Sequence, residues 1–155
     1  MANSSELKQK VCKAIDARRE QIIGIGESIM DAPELGFKEQ KTAGRVKDIL
    51  GGLGLQSESG LAITGVKAVL KGAKPGPTVA IMGELDALQV PGHPRADGDT
   101  NAAHACGHNA QIAGLMGAAM GLSQPAIVEE LEGNVVFFAV PAEEYVEIEY
   151  RIGLV

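Results

Sequence analysis

Two cysteines and three histidines are all that 155 residues contain of these types. No apolar run reaches the roughly 18 residues that would read as a membrane-spanning helix. The opening MANSSELKQK has no apolar signal core, so neither secretion nor membrane insertion is supported, and a cytoplasmic protein is the expectation. So few cysteines build no disulfide framework, and in a reducing compartment Cys106 is expected as a free thiol or a ligand. Basic residues are also scarce: 14 Lys and Arg stand against 20 Asp and Glu, a formal charge of −6. With no Lys/Arg cluster, a nucleic acid or an acidic membrane surface is excluded as a partner. Internal repeats and low-complexity runs are absent too. A chain of this length with 45% hydrophobic and 22% charged residues reads as one soluble globular domain with room for a core.

What is present begins with helices. From Ser5, Leu7, Val11, Ile15, Ile22, Ile25 and Ile29 recur at helical spacings, interrupted at Arg18, and predict an amphipathic helix stopped near Pro33. A second helix is expected from about Glu39, with Ala43, Val46, Ile49 and Leu50 inward, ending at GGLG. The pattern then changes to short apolar or β-branched runs bounded by Gly and Pro: ITGVKAVLKG, PTVAIMGELDAL and GNVVFFAVPAEE. Between the second and third lies NAQIAGLMGAAMGL, with Asn109 placed to cap a helix. Strand, helix, strand at this spacing predicts parallel pairing. The continuously apolar strands predict a sheet covered on both faces. The fold class is therefore α/β, layered α/β/α with a mostly parallel central sheet. The stretch KPGP, Lys74 to Pro77, reads as a turn rather than a domain boundary.

Three polar clusters fall at predicted strand ends, where ligands of parallel α/β sheets bind. They are Glu84 with Asp86, then His104 with Cys106 and His108, then Glu143 with Glu144. In an extended segment residues two apart point the same way, so Cys106 and His108 could reach one ion across Gly107, and His104 shares that alternation. Thiolate with imidazole suits zinc or another late first-row metal. The alternative is that Cys106 is a small buried apolar residue and the histidines are polar surface beside a helix cap. Just past Pro141, Glu143 and Glu144 can turn toward one space, one as metal ligand and one as general base, or both can be solvated surface.

Taken in order, GELDAL, HACGH and VPAEE, with DAPELGFKEQKTAGRV and GVKAVLKGAKPGPTVAI before them, resemble the metal-dependent amidohydrolases of the aminoacylase and carboxypeptidase superfamily. The branch is that of hippurate hydrolase, N-acyl-amino-acid amidohydrolases, plant auxin-conjugate hydrolases and p-aminobenzoyl-glutamate hydrolase. The resemblance implies amide hydrolysis of small N-acyl amino acids or peptide-like conjugates at a centre of two divalent ions, zinc or manganese. It implies Cys106, His108 and Glu144 as metal ligands, Glu143 as general base, and Asp86 as a catalytic-site group orienting a ligand; His104 is implied to be structural or to support a ligand rather than to be one. Family members continue well beyond this length. The resemblance therefore implies that residues 1–155 are the N-terminal part of the catalytic domain. An inserted dimerisation and lid domain and the C-terminal half would be missing, and the chain would be inactive alone. It further implies a homodimer in the full-length family.

Three departures stand out: Asn109 where the branch has Asp or Met, Glu84 in place of an Asp, and YVEIEYRIGLV after PAEE, which suits a different loop affecting substrate choice. A thiol enzyme, with Cys106 as nucleophile and His104 or His108 as base, is the other enzymatic reading. A truncated fragment binding at most one metal, without catalysis, is the third.

Overall fold

A computed structural model describes residues 4–144; the loop expectation for Tyr145 to Val155 lies outside them. The N-terminal apolar stripe forms two helices, α1 (Ser4–Asp16) and α2 (Arg19–Met30). The single long helix expected from the sequence is thus broken, and it breaks where the apolar spacing was interrupted: Arg18, at φ −111°, is the N-cap of α2. Helix α3 (Gln40–Gly52) follows, then strands β1 (Ser57–Leu61), β2 (Gly65–Lys71) and β3 (Lys74–Glu84). A two-stranded ribbon, β4 (Leu88–Gln89) with β5 (Ala102–Ala103), leads to α4 (His108–Leu122), the short α5 (Pro125–Val128) and β6 (Glu132–Val140). KPGP forms neither a turn nor a boundary. It is the irregular start of β3, where the register shifts between Lys74 and Thr78.

The main sheet runs β1-β2-β6-β3. β3 and β6, joined through α4, pair in parallel as expected, whereas β1 with β2 and β2 with β6 are antiparallel. The fold is α/β with a mixed sheet. Val66, Ala68 and Leu70 of β2 lie opposite Ala139, Phe137 and Val135 of β6. All six are buried in one core with Val46 and Leu50 of α3 and Ile112, Leu115 and Met116 of α4. This alternation puts the helices on one face. The other face carries Val69 and Met82, 41% and 58% exposed, and no helix of the described residues covers it. The continuous apolar runs that suggested two covered faces therefore face helices on one side only.

Helix α4 is apolar nearly all round because both its sides are covered. Its sheet side meets Gly83, where a Cβ would stand 3.3 Å from Ile112 and 3.4 Å from Leu115. Its outer side receives α1 and α2 at Gly121 and Gly117. Asn109 does not cap it. The helix starts two residues earlier than that cap would place it, with Gly107 as N-cap at φ +98°, a left-handed conformation that favours glycine. The Asn109 side chain instead donates from Nδ2 to the Gly26 carbonyl of α2 at 3.1 Å, pinning the two helices together. None of the helices among the described residues is long and apolar enough to cross a membrane.

Candidate metal centre

Parallel pairing brings the carboxyl ends of β3 and β6 side by side: Glu84 is in register with Val140, and the Leu85 N–H donates to the Val140 carbonyl at 2.9 Å. Glu84 and Asp86 leave one strand and Glu143 and Glu144 follow the other at the same end of the sheet. The N-terminus of α4 delivers His108 between them. All three sequence clusters therefore meet, which spacing alone could not decide.

His108 is the hub, 2% exposed at its side chain. Its Nδ1 lies 2.9 Å from the Asp86 carbonyl oxygen, which can only accept, so Nδ1 donates there and Nε2 points toward the acidic side chains. Around Nε2 stand Glu84 Oε2 at 2.9 Å, Glu143 Oε2 at 3.7 Å and Glu144 Oε1 at 3.7 Å. Two overlapping groups have donor atoms all within 4.8 Å of one another: Cys106, His108 and Glu144, and Glu84, His108 and Glu143. Cys106 reaches its group through the left-handed turn at Gly107 rather than by extended alternation. It is exposed, not a buried apolar residue. A hydrogen bond to Glu144 and the nearby Glu143 and Glu84 charges push its thiol up, away from the thiolate.

Asp86 is buried, and its Oδ2 accepts the Glu144 N–H at 3.0 Å. His104 is not brought into either donor group. It is 3% exposed, neither ring nitrogen has a hydrogen-bond partner among the described residues, and burial lowers its pKa to about 4, aided by nearby His108, so the ring is neutral. His93 lies away in the loop before β5, with its Nδ1 accepting the Arg95 N–H.

Two features went unforeseen. Glu84 stands closer to His108 Nε2 than the other carboxylates; its place at a strand end was the available signal. Glu39, expected only as a helix start, is fully buried. Burial raises its carboxyl above the ordinary value, against the lowering effect of hydrogen bonds from Thr64, Ala142 and neighbouring backbone. Periodicity does not separate such a residue from an exposed helix-start glutamate.

An α/β sheet with a thiol, an imidazole and carboxylates gathered beyond its strand ends resembles in class the metal-dependent hydrolases. Comparison with known proteins sharpens that class. Residues 80–151 match the profile of Peptidase family M20/M25/M40. Thermostable carboxypeptidase 1 of Saccharolobus solfataricus is 32% identical over 143 residues, which are 90% of this chain and 36% of that protein. The N-acyl-L-amino acid amidohydrolase of Geobacillus stearothermophilus is 32% identical over 140 residues, 88% of this chain and 37% of its own length. Among solved structures, a Bacillus subtilis protein described as a dinuclear metal binding peptidase from the M20 family superposes with a TM-score of 0.73 at 31% identity. That match covers 90% of this chain and 40% of the solved one. The chain belongs to the M20 peptidase family, and it spans less than half the length of these relatives.

Proposed function

We propose that this chain supplies ligands and the general base for metal-dependent hydrolysis of an amide bond in N-acyl amino acids or similar conjugates, as the N-terminal part of an M20 catalytic domain. The observation that carries the reading is the convergence of a thiol and carboxylates from separate segments beside Nε2 of one buried histidine. Negative groups packed this closely are stabilised by a cation. The donors fit a divalent ion: an imidazole nitrogen facing the other groups, a thiol that ionises on binding, and carboxylate oxygens, a mixture that suits zinc and admits manganese. Cys106, His108 and Glu144 would hold it. When bound, one or two such ions activate water and polarise the amide carbonyl.

The chain's own residues do the rest. Asp86 holds His108 through its carbonyl and the Glu144 backbone through its carboxylate, orienting two ligands at once. Glu143, half exposed, takes a proton from the attacking water and delivers it to the leaving nitrogen, so that amide and water give a carboxylate and an amine. The thiol reading is disfavoured because the carboxylates around Cys106 oppose the thiolate that a nucleophile needs.

Metal analysis after dialysis of the purified chain against zinc or manganese tests the ligand set. The parent is expected to retain an ion, and Cys106→Ala and His108→Ala to lose it. Glu143→Gln should keep the ion and abolish any hydrolysis of an N-acyl amino acid that the parent performs. A parent that retains no ion, or a Cys106→Ala chain that binds like the parent, refutes the ligand assignment.

A further inference from the structure

Glu39 touches none of the donor atoms, yet it reaches the loop that carries two of the carboxylates. We propose that Glu39 is a positioning residue for the Glu143–Glu144 loop, an inference that rests on reading those two residues as site groups. One oxygen, Oε1, accepts the Ala142 N–H at 2.9 Å; the other, Oε2, accepts the Thr64 hydroxyl at 2.6 Å. Ala142 has φ +51°, a left-handed conformation that a residue with a Cβ keeps only where its surroundings impose it. The surroundings here do so from two sides. Glu39 holds the amide, and Gly36 closes on the side chain, since a Cβ there would stand 3.0 Å from Ala142 Cβ and 3.2 Å from its Cα. Two residues on, the Glu144 N–H is held by Asp86 Oδ2 at 3.0 Å.

Glu143 thus sits between two backbone hydrogen bonds, each ending on a different buried carboxylate. Its own side chain stays half exposed, available to solvent and substrate. Glu39 is anchored in its turn by the segment before α3, where Phe37 is also left-handed at φ +62°. One carboxylate therefore joins the turn before α3, the β1–β2 connection and the loop after β6. The leading segment of the chain sets where the general base and a ligand stand.

Amide hydrogen exchange on the isotopically labelled chain, with Co²⁺ titration read from the thiolate-to-cobalt absorption, tests this. Glu39→Gln keeps an oxygen for Ala142, and its NH₂ can donate to the Thr64 hydroxyl, which accepts as well as donates. It is expected to stay within about threefold of the parent in Ala142 exchange and in Co²⁺ affinity. Glu39→Ala is expected to speed Ala142 exchange and weaken Co²⁺ binding by roughly tenfold or more, shifting the Glu143 and Glu144 amides while Phe137 stays protected. Parent-like Ala142 exchange and unshifted Glu143 and Glu144 signals in folded Glu39→Ala overturn the proposal. If that variant does not fold, Thr64→Val decides, with faster Ala142 exchange expected and parent-like exchange overturning it. A parent that gives no cobalt band refutes the metal reading, and the exchange data still decide the role of Glu39.

Discussion

Two glycines of α4 differ in what surrounds them, and the difference gives a quantitative test of the helical layer. A Cβ at Gly114 would meet nothing within 4 Å. At Gly121 it would stand 2.7 Å from Ile15 Cγ1, 3.1 Å from Ile15 Cδ1 and 3.3 Å from Val11 Cγ1. Replacing either glycine by alanine gains helix propensity of about 0.8–1.0 kcal/mol. In Gly114→Ala that gain should appear whole. In Gly121→Ala the nearest atom is the one that sets the Ile15 rotamer, so the side chain leaves its well or α1 moves, and overpacking costs about 1–3 kcal/mol. The two variants should therefore differ by about 1–3 kcal/mol, the exposed site being stabilised and the buried one neutral or destabilised. For a chain of this size each kcal/mol moves Tm by about 2–4 °C, giving a gap of roughly 2–12 °C. Circular dichroism melts paired with urea titrations at equal m-value provide the measurement. Equal stabilisation of both variants would show that α1 does not pack on α4 through Gly121.

Further predictions concern the core and the buried glutamate. Phe137 is fully buried in the strand that joins β2 to β3, and Phe137→Ala should cost about 3–5 kcal/mol in urea unfolding; a loss below about 1 kcal/mol would mean that this face is not a packed core. Burial raises the Glu39 carboxyl above its ordinary value, so the folded chain binds that proton more tightly than the unfolded one. The stability this contributes is present below the ordinary carboxyl value and is lost as pH rises through the raised folded value. Measured by urea unfolding between pH 4 and 7, the parent should lose stability relative to Glu39→Gln as pH rises, and a constant or opposite difference refutes the sign.

Much of this structure can be read from local pattern. The period of Ala43, Val46 and Leu50 marks α3, and the apolar runs mark β2, β3 and β6, because burial of one stripe or face leaves a repeat in the residues themselves. The donor residues were legible for a related reason: Cys106, His108, Glu143 and Glu144 lie at element ends, where a parallel pair of strands delivers its loops together. What was not legible depends on partners distant in sequence. Asn109 could serve as a cap from its own neighbourhood, and only the approach of Gly26 shows that it bridges helices instead. Glu39 looks like an ordinary helix-start acid until Thr64 and Ala142 arrive from 25 and 103 residues away. The break at Arg18 was visible as an interruption but not as the end of one helix and the start of another, and which sheet face lies open depends on where every helix packs.

The strand order β1-β2-β6-β3 also governs how the molecule is made. β2 and β3 are neighbours in the chain but not in the sheet; the last of the described strands slots between them. Residues 132–140 must therefore be made before β3 has its sheet neighbour, and until then β2 has only its antiparallel pairing with β1. Strand β6 ends at Val140, three residues before Glu143. Pairing of β6 with β3 also brings Glu143 and Glu144 beside Glu84 and His108, so closing the sheet and gathering these side chains are coupled.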